Sequence, residues 1–156
     1  MKEKNFVQAR QVLIDAIRKY PEASADAQLY RYKMDALAEL IGVENRKLYL
    51  NSKPDTVSFF NYMYEIYQTG LQCDSVEQIT LAARQAEGKK AEPKLRAGIG
   101  QTLLPYRKNL LNAGKYFYTK KSYTEAFRFL TYIRKQKTLI YSLIQKGILS
   151  LQILTI

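Results

Sequence analysis

Three observations predict an all-α protein. Every long apolar segment repeats at helical rather than alternating spacing. Helix-start residues stand ahead of those segments, and Gly or Pro stands after several of them. Residues 109–133 read as two short amphipathic helices joined by a tight turn. Within that stretch Leu110, Ala113, Gly114, Phe117 and Tyr118 fall on one helical face. Thr119, Lys120, Lys121 and Ser122 interrupt the pattern. Ser122 with Glu125 three residues later forms a capping box. Tyr123, Ala126, Phe127, Leu130 and Ile133 give the second apolar face. Small residues at Gly114 and Ala126 are expected to face each other, so that two antiparallel helices approach closely.

Taken in order, the first helix is predicted from about Glu3 to Tyr20, with Phe6, Ala9, Leu13, Ala16 and Ile17 on one face and Pro21 as its stop. Ala9 is expected to be buried. A second helix is predicted from about Ser24 to Ile41, capped by Ser24 or Asp26 and ended by Gly42. Its face is Leu29, Tyr30, Met34, Leu37, Leu40 and Ile41. A connector follows to Pro54, with a short turn at Leu48-Tyr49-Leu50. Pro54-Asp55-Thr56 is a helix start. Residues 57–71 are apolar on several sides, as in a central helix packed on more than one flank. Their aromatic content also suits a buried strand, but the polar rhythm of Ser58, Asn61 and Glu65 favours helix. Cys73-Asp74-Ser75 opens another helix that ends near Gly88. Residues 88–93 form a loop, and the chain then runs as helix from Lys94 to Leu104, where Pro105 breaks or kinks it.

The hairpin resembles one tetratricopeptide (TPR) repeat, a helix-turn-helix unit of about 34 residues. Gly114, Phe117-Tyr118, Tyr123, Glu125-Ala126 and Leu130 carry the resemblance. The family departs from this chain at Ala113, where it has a large residue, at Lys121, where it has glycine, at Ile133, where it has a small residue, and at Thr138, where it often has proline. Ala9, Leu13, Ala16 and Pro21 resemble the second half of another repeat. The resemblance therefore covers residues 107–133 and a half-repeat over 3–21. It implies a single TPR-like domain over residues 1–156, a right-handed superhelix of stacked hairpins with about seven helices. It also implies a scaffold or adaptor of bacterial type for protein–protein interaction, not an enzyme, with no cofactor. By the same resemblance the first helix of the hairpin lines a groove, which places Lys108, Leu111, Asn112, Lys115 and Thr119 on the partner-binding side. Lysine and asparagine there resemble positions that clamp acidic peptide ends.

Composition narrows the chemistry independently. The chain of 156 residues is 47% hydrophobic and 25% charged, which is globular. It has no histidine and a single cysteine, Cys73. That removes the commonest general base and metal ligand and any internal disulfide. No Walker loop, GxSxG, HExxH or CxxC occurs. Gly98-Ile99-Gly100 lacks the third glycine and the preceding strand of a dinucleotide loop. Cys73, without a histidine to activate it, reads as a structural thiol. The net charge of +11 is uneven: residues 1–83 hold 10 basic and 11 acidic side chains, and residues 84–121 hold 10 and 2.

The cluster Lys89, Lys90, Lys94, Arg96, Arg107, Lys108 and Lys115, interleaved with Tyr106, Tyr116 and Tyr118, suits either an acidic protein or peptide or, as the alternative function, a nucleic acid. No apolar run reaches the length of a membrane span. MKEKNFVQAR has no apolar signal core, which leaves a cytoplasmic location, or a periplasmic one if a leader has been removed. The apolar tail 134–156 reads as a packing helix, a partner-binding strip or a non-native end.

Overall fold

A computed structural model gives the fold, and it describes residues 2–133. The expectations for the tail 134–156 lie outside the described residues. Among those residues the chain is helical with no strand: α1 (Lys2–Lys19), α2 (Pro21–Ser24), α3 (Ala27–Tyr49), α4 (Thr56–Ala86), α5 (Arg96–Leu103), a 3-10 turn (Leu104–Tyr106) and α6 (Arg107–Thr119), then a helical stretch over 123–133. The chain divides into two compact units, Met1–Leu103 and Leu104–Ile156.

In the first unit α3 lies against both α1 and α4. Pro21 stops α1 and serves as the first residue of α2, where its missing N–H costs nothing. Asp26 caps α3 by accepting from Gln28 N at 2.9 Å. The sequence placed the end of this helix at Gly42, but α3 continues to Tyr49. A lone interior glycine costs only about 1 kcal/mol, and α3 ends instead at Asn51, whose φ of 52° is left-handed. Met34, Leu37, Leu40 and Ile41 are fully buried, as the apolar face requires. On α1, Ala9 is exposed rather than buried as expected.

The start of α4 is as expected: Asp55 accepts from Ser58 N at 3.0 Å and from its hydroxyl at 2.7 Å, which holds the Asp55 carboxyl below the usual carboxylate range. The separate helix expected from Cys73 does not exist. One 31-residue helix, about 46 Å long at 1.5 Å per residue, runs through both segments. Gly70 does not break it because the fold uses that glycine. A Cβ there would lie 2.9 Å from Leu103 Cδ1, 3.2 Å from Ile99 Cγ2 and 3.3 Å from Met34 Cε. Thus α3 and α5 both close on α4 at one bare spot. Tyr67 Oη donates to Leu103 O at 2.6 Å beside it.

Carboxylates fasten the segments around α4. Glu65 accepts from Arg10 of α1 at 2.6 Å and from Lys33 of α3 at 3.1 Å. Glu44 of α3, itself buried, accepts from Asp55 N at 2.7 Å and from Lys47 Nζ at 2.6 Å. Glu77 accepts from Lys94 N at 2.7 Å and Leu95 N at 2.8 Å. Asp74 takes both arms of the buried Arg96 guanidinium at 2.6 and 2.8 Å.

In the second unit Leu110, Ala113, Gly114 and Phe117 are the buried face of α6. Across from Gly114 stands Leu130, not Ala126: a Cβ on Gly114 would lie 2.7 Å from Leu130 Cδ2. The inner face of the 123–133 helix is Ala126, Phe129 and Tyr132, and Phe129 stacks on Phe117 at 5.4 Å. Tyr118, Tyr123, Phe127 and Leu130, expected inside, are exposed. The turn between the helices has the bonds of a Schellman end, with Ser122 N donating to Phe117 O and Lys121 N to Tyr118 O. Lys121 has φ of 60°, a conformation that costs an L-residue about 1–2 kcal/mol.

Two substitutions test this hairpin. Lys121→Gly relieves the left-handed strain and should raise stability by about 0.5–1 kcal/mol in urea titration; an unchanged or lower midpoint would show that the turn is not strained. Ala126→Leu overpacks the inner face and should destabilise by about 1–3 kcal/mol, read as a lower melting temperature.

Candidate functional site

α6 is amphipathic because its apolar residues fall at positions 110, 113, 114 and 117, one side of a 3.6-residue helix. Lys108, Leu111, Asn112, Lys115 and Thr119 occupy other positions, at spacings of three and four, and all five are exposed. The face they share runs about 16 Å along the axis, at 1.5 Å per residue. It presents two ammonium groups, one amide and one leucine, with no acid. Thr119 is less available than its position suggests, since its hydroxyl donates to Tyr116 O at 2.8 Å. Lys120 Nζ sits 6.0 Å from the centroid of the Tyr116 ring, which places a further positive charge at the same end of the helix.

The wider basic cluster read from the sequence is divided between the two units. Lys89, Lys90, Lys94 and Arg96 belong to the first unit, and Arg107, Lys108 and Lys115 to the second. Arg96 is buried and spent on Asp74; that pairing raises its pKa further. Lys89 pairs with Glu87 at 2.7 Å. The pair Gly98 and Gly100 lies inside α5, and is therefore a helix interior and not a phosphate loop.

Cys73 is fully buried on α4 and donates its thiol proton to Ala27 O at 3.2 Å. Burial, with the charge of Glu77 adding to it, pushes the thiol up to about 12. A thiol so held is neutral across the physiological range and is no nucleophile there. Among the described residues no group of three or more acidic or cysteine side chains converges as a metal site, and no helix is long and apolar enough to cross a membrane. An open cleft of about 740 Å³ lies between the start of α3, the last turns of α4 and residues 90–95. Its buried carboxylate, Glu77, is engaged through Oε1 with the backbone of Lys94 and Leu95.

Sequence reading missed the outward aromatic face of the 123–133 helix. The signal was present, since seven of those eleven positions are apolar or aromatic and no single stripe holds them all. The chain matches no protein-family model, no curated protein and no solved structure.

The thiol gives a pH test. Its folded pKa lies above the unfolded value of 9.0, so its contribution to stability is fully present below about pH 9 and is lost as pH rises toward 12. Iodoacetamide should leave Cys73 unmodified at pH 8 in the native protein and label it on addition of urea, read by mass. Rapid native labelling would contradict the buried, neutral thiol.

Proposed function

We propose that the 107–133 hairpin is a TPR-like unit in a non-enzymatic interaction scaffold, and that the outward face of α6 receives an acidic segment of another protein. The observation that carries this reading is the division of α6 into a packed side and an exposed side, Lys108, Leu111, Asn112, Lys115 and Thr119, that bears positive charge and no acid. The repeat resemblance is supported by three further features. Gly114 and Leu130 meet at close range. Ala126 is buried. The backbone of Lys121 is left-handed at the position where TPR repeats carry glycine. The support is local to this hairpin, because α3 and α4, with 23 and 31 residues, are far longer than half of a repeat.

The rival reading is a basic nucleic-acid-binding domain, and the two differ in their response to salt. Phosphate binding falls log-linearly and steeply with salt as counterions are released. A peptide held by Leu111 as well as by two lysines loses affinity less steeply. Partners are to be captured from the source cell with the full chain and titrated against it. Lys108→Glu with Lys115→Glu should weaken the captured protein at least about ten-fold, which is 1.4 kcal/mol, and leave the circular dichroism spectrum unchanged. Single- or double-stranded nucleic acid should bind no tighter than roughly micromolar at physiological salt. Tight nucleic-acid binding abolished by the same pair would replace the scaffold with the nucleic-acid reading.

A further inference from the structure

The 123–133 helix has two apolar faces. The inner one, Ala126, Phe129 and Tyr132, is at most 8% exposed, whereas Tyr123 is 59%, Phe127 72% and Leu130 42% exposed. These three stand at i, i+4 and i+7, one ridge about 10 Å long on a helix of 1.5 Å rise. Tyr118, 63% exposed, extends the ridge across the turn, its ring edge-on to Tyr123 at 5.6 Å. Leu130 anchors the ridge to the core through its contact with Gly114. A contiguous aromatic surface of this kind marks an interaction site.

Charge selects its occupant. Residues 104–133 hold six cations, Arg107, Lys108, Lys115, Lys120, Lys121 and Arg128, against one acid, Glu125. A second copy meeting the ridge through its own hairpin would bring the same excess to the contact and be repelled. Residues 134–156 hold four cations and no acid, so they do not supply the complement either. Bases can stack on tyrosine, but Phe127 and Leu130 at the middle and end of the ridge offer base edges no hydrogen-bond partner and suit aliphatic side chains.

We propose that the Tyr123–Phe127–Leu130 ridge docks an acidic amphipathic helix of another protein. Aliphatic side chains one turn apart would seat between Tyr118, Tyr123, Phe127 and Leu130, as ridges enter grooves between packed helices. Flanking carboxylates would face Lys120, Lys121 and Arg128. This surface is distinct from the α6 face discussed above and goes beyond that reading.

The probe is a fluorescein-labelled peptide of about 20 residues, a helix of about 30 Å, with leucine at spacings of three and four and glutamate elsewhere. It is titrated into the full chain by fluorescence anisotropy. Expected is saturable binding at least ten-fold tighter than that of the same peptide with lysine for glutamate, and a loss of at least ten-fold with Phe127→Ser. No saturation below about 1 mM, or equal binding of the basic peptide, overturns the proposal. So does loss of binding with Lys108→Glu and Lys115→Glu together and none with Phe127→Ser, a result that would leave the α6 reading standing. Tighter binding of single-stranded DNA than of the peptide assigns the ridge to nucleic acid. A concentration-dependent dimer abolished by Phe127→Ser assigns it to a second copy. A melting temperature that falls as far with Phe127→Ser as with Phe129→Ala shows that the chain itself covers the ridge.

Discussion

The first unit depends on a side chain that is missing. At Gly70 the backbone of α4 is bare, and Leu103, Ile99 and Met34 fill the space that any Cβ would need. This single close approach fixes the heights at which α3 and α5 cross α4. The carboxylates then fix the angles. Glu65 ties α1 and α3 to the middle of α4, and Asp74 with Glu77 ties the start of α5 to its later turns. Two buried acids, Glu44 and Glu77, grip backbone N–H groups, and Glu44 holds the Lys47 ammonium as well. They thereby satisfy donors at helix starts that would otherwise stand unpaired. Hydrogen bonds to charged groups contribute about 1.5–3 kcal/mol each, so the polar fasteners rank with the apolar core in specifying this packing.

Local chemistry explains which parts of this were legible. Asp55 after Pro54, and Gly88 after the last turn of α4, are signals contained within a few residues, and the structure uses both. Gly42 and Gly70 look the same in sequence as Gly88 but lie inside helices. A glycine ends a helix only where its left-handed backbone is wanted; Gly70 instead marks a close approach that depends on Met34, Ile99 and Leu103, 29 to 36 positions away, whereas Gly42 meets only the tip of the Arg46 side chain. The acid grips were hidden for the same reason, since Glu65 finds Arg10 and Glu77 finds Leu95. On α6 the inner positions Leu110, Ala113, Gly114 and Phe117 were legible from helical spacing, whereas Tyr118, read with them, is exposed. The 123–133 helix is apolar nearly all round, so spacing could not say whether Phe127 or Phe129 turns inward.

The two units differ in electrical character. The first unit, residues 1–103, holds 15 basic and 13 acidic side chains, several of the acids serving as fasteners or caps, whereas residues 104–133 hold six cations, most of them exposed, against one acid. Buried or paired charge contributes little to the field beyond the surface, while six cations with one acid produce a local positive potential. Such a potential accelerates encounters with acidic partners and weakens with ionic strength. The first unit thus invests its charge in rigidity, and the hairpin presents its charge to solvent.

The grip of Glu77 on Lys94 and Leu95 has a topological consequence. It closes the chain on itself, so that residues 78–93 leave the body of the protein and return to nearly the same point. The outer turns of this excursion, residues 82–90, are exposed throughout. The entropy of closing such a loop grows only logarithmically with its length, by about 0.6 kcal/mol per doubling. The tip around Gly88 is therefore where this architecture can accept additional residues, from a few to a whole inserted segment, with the junction at Gly70 left undisturbed.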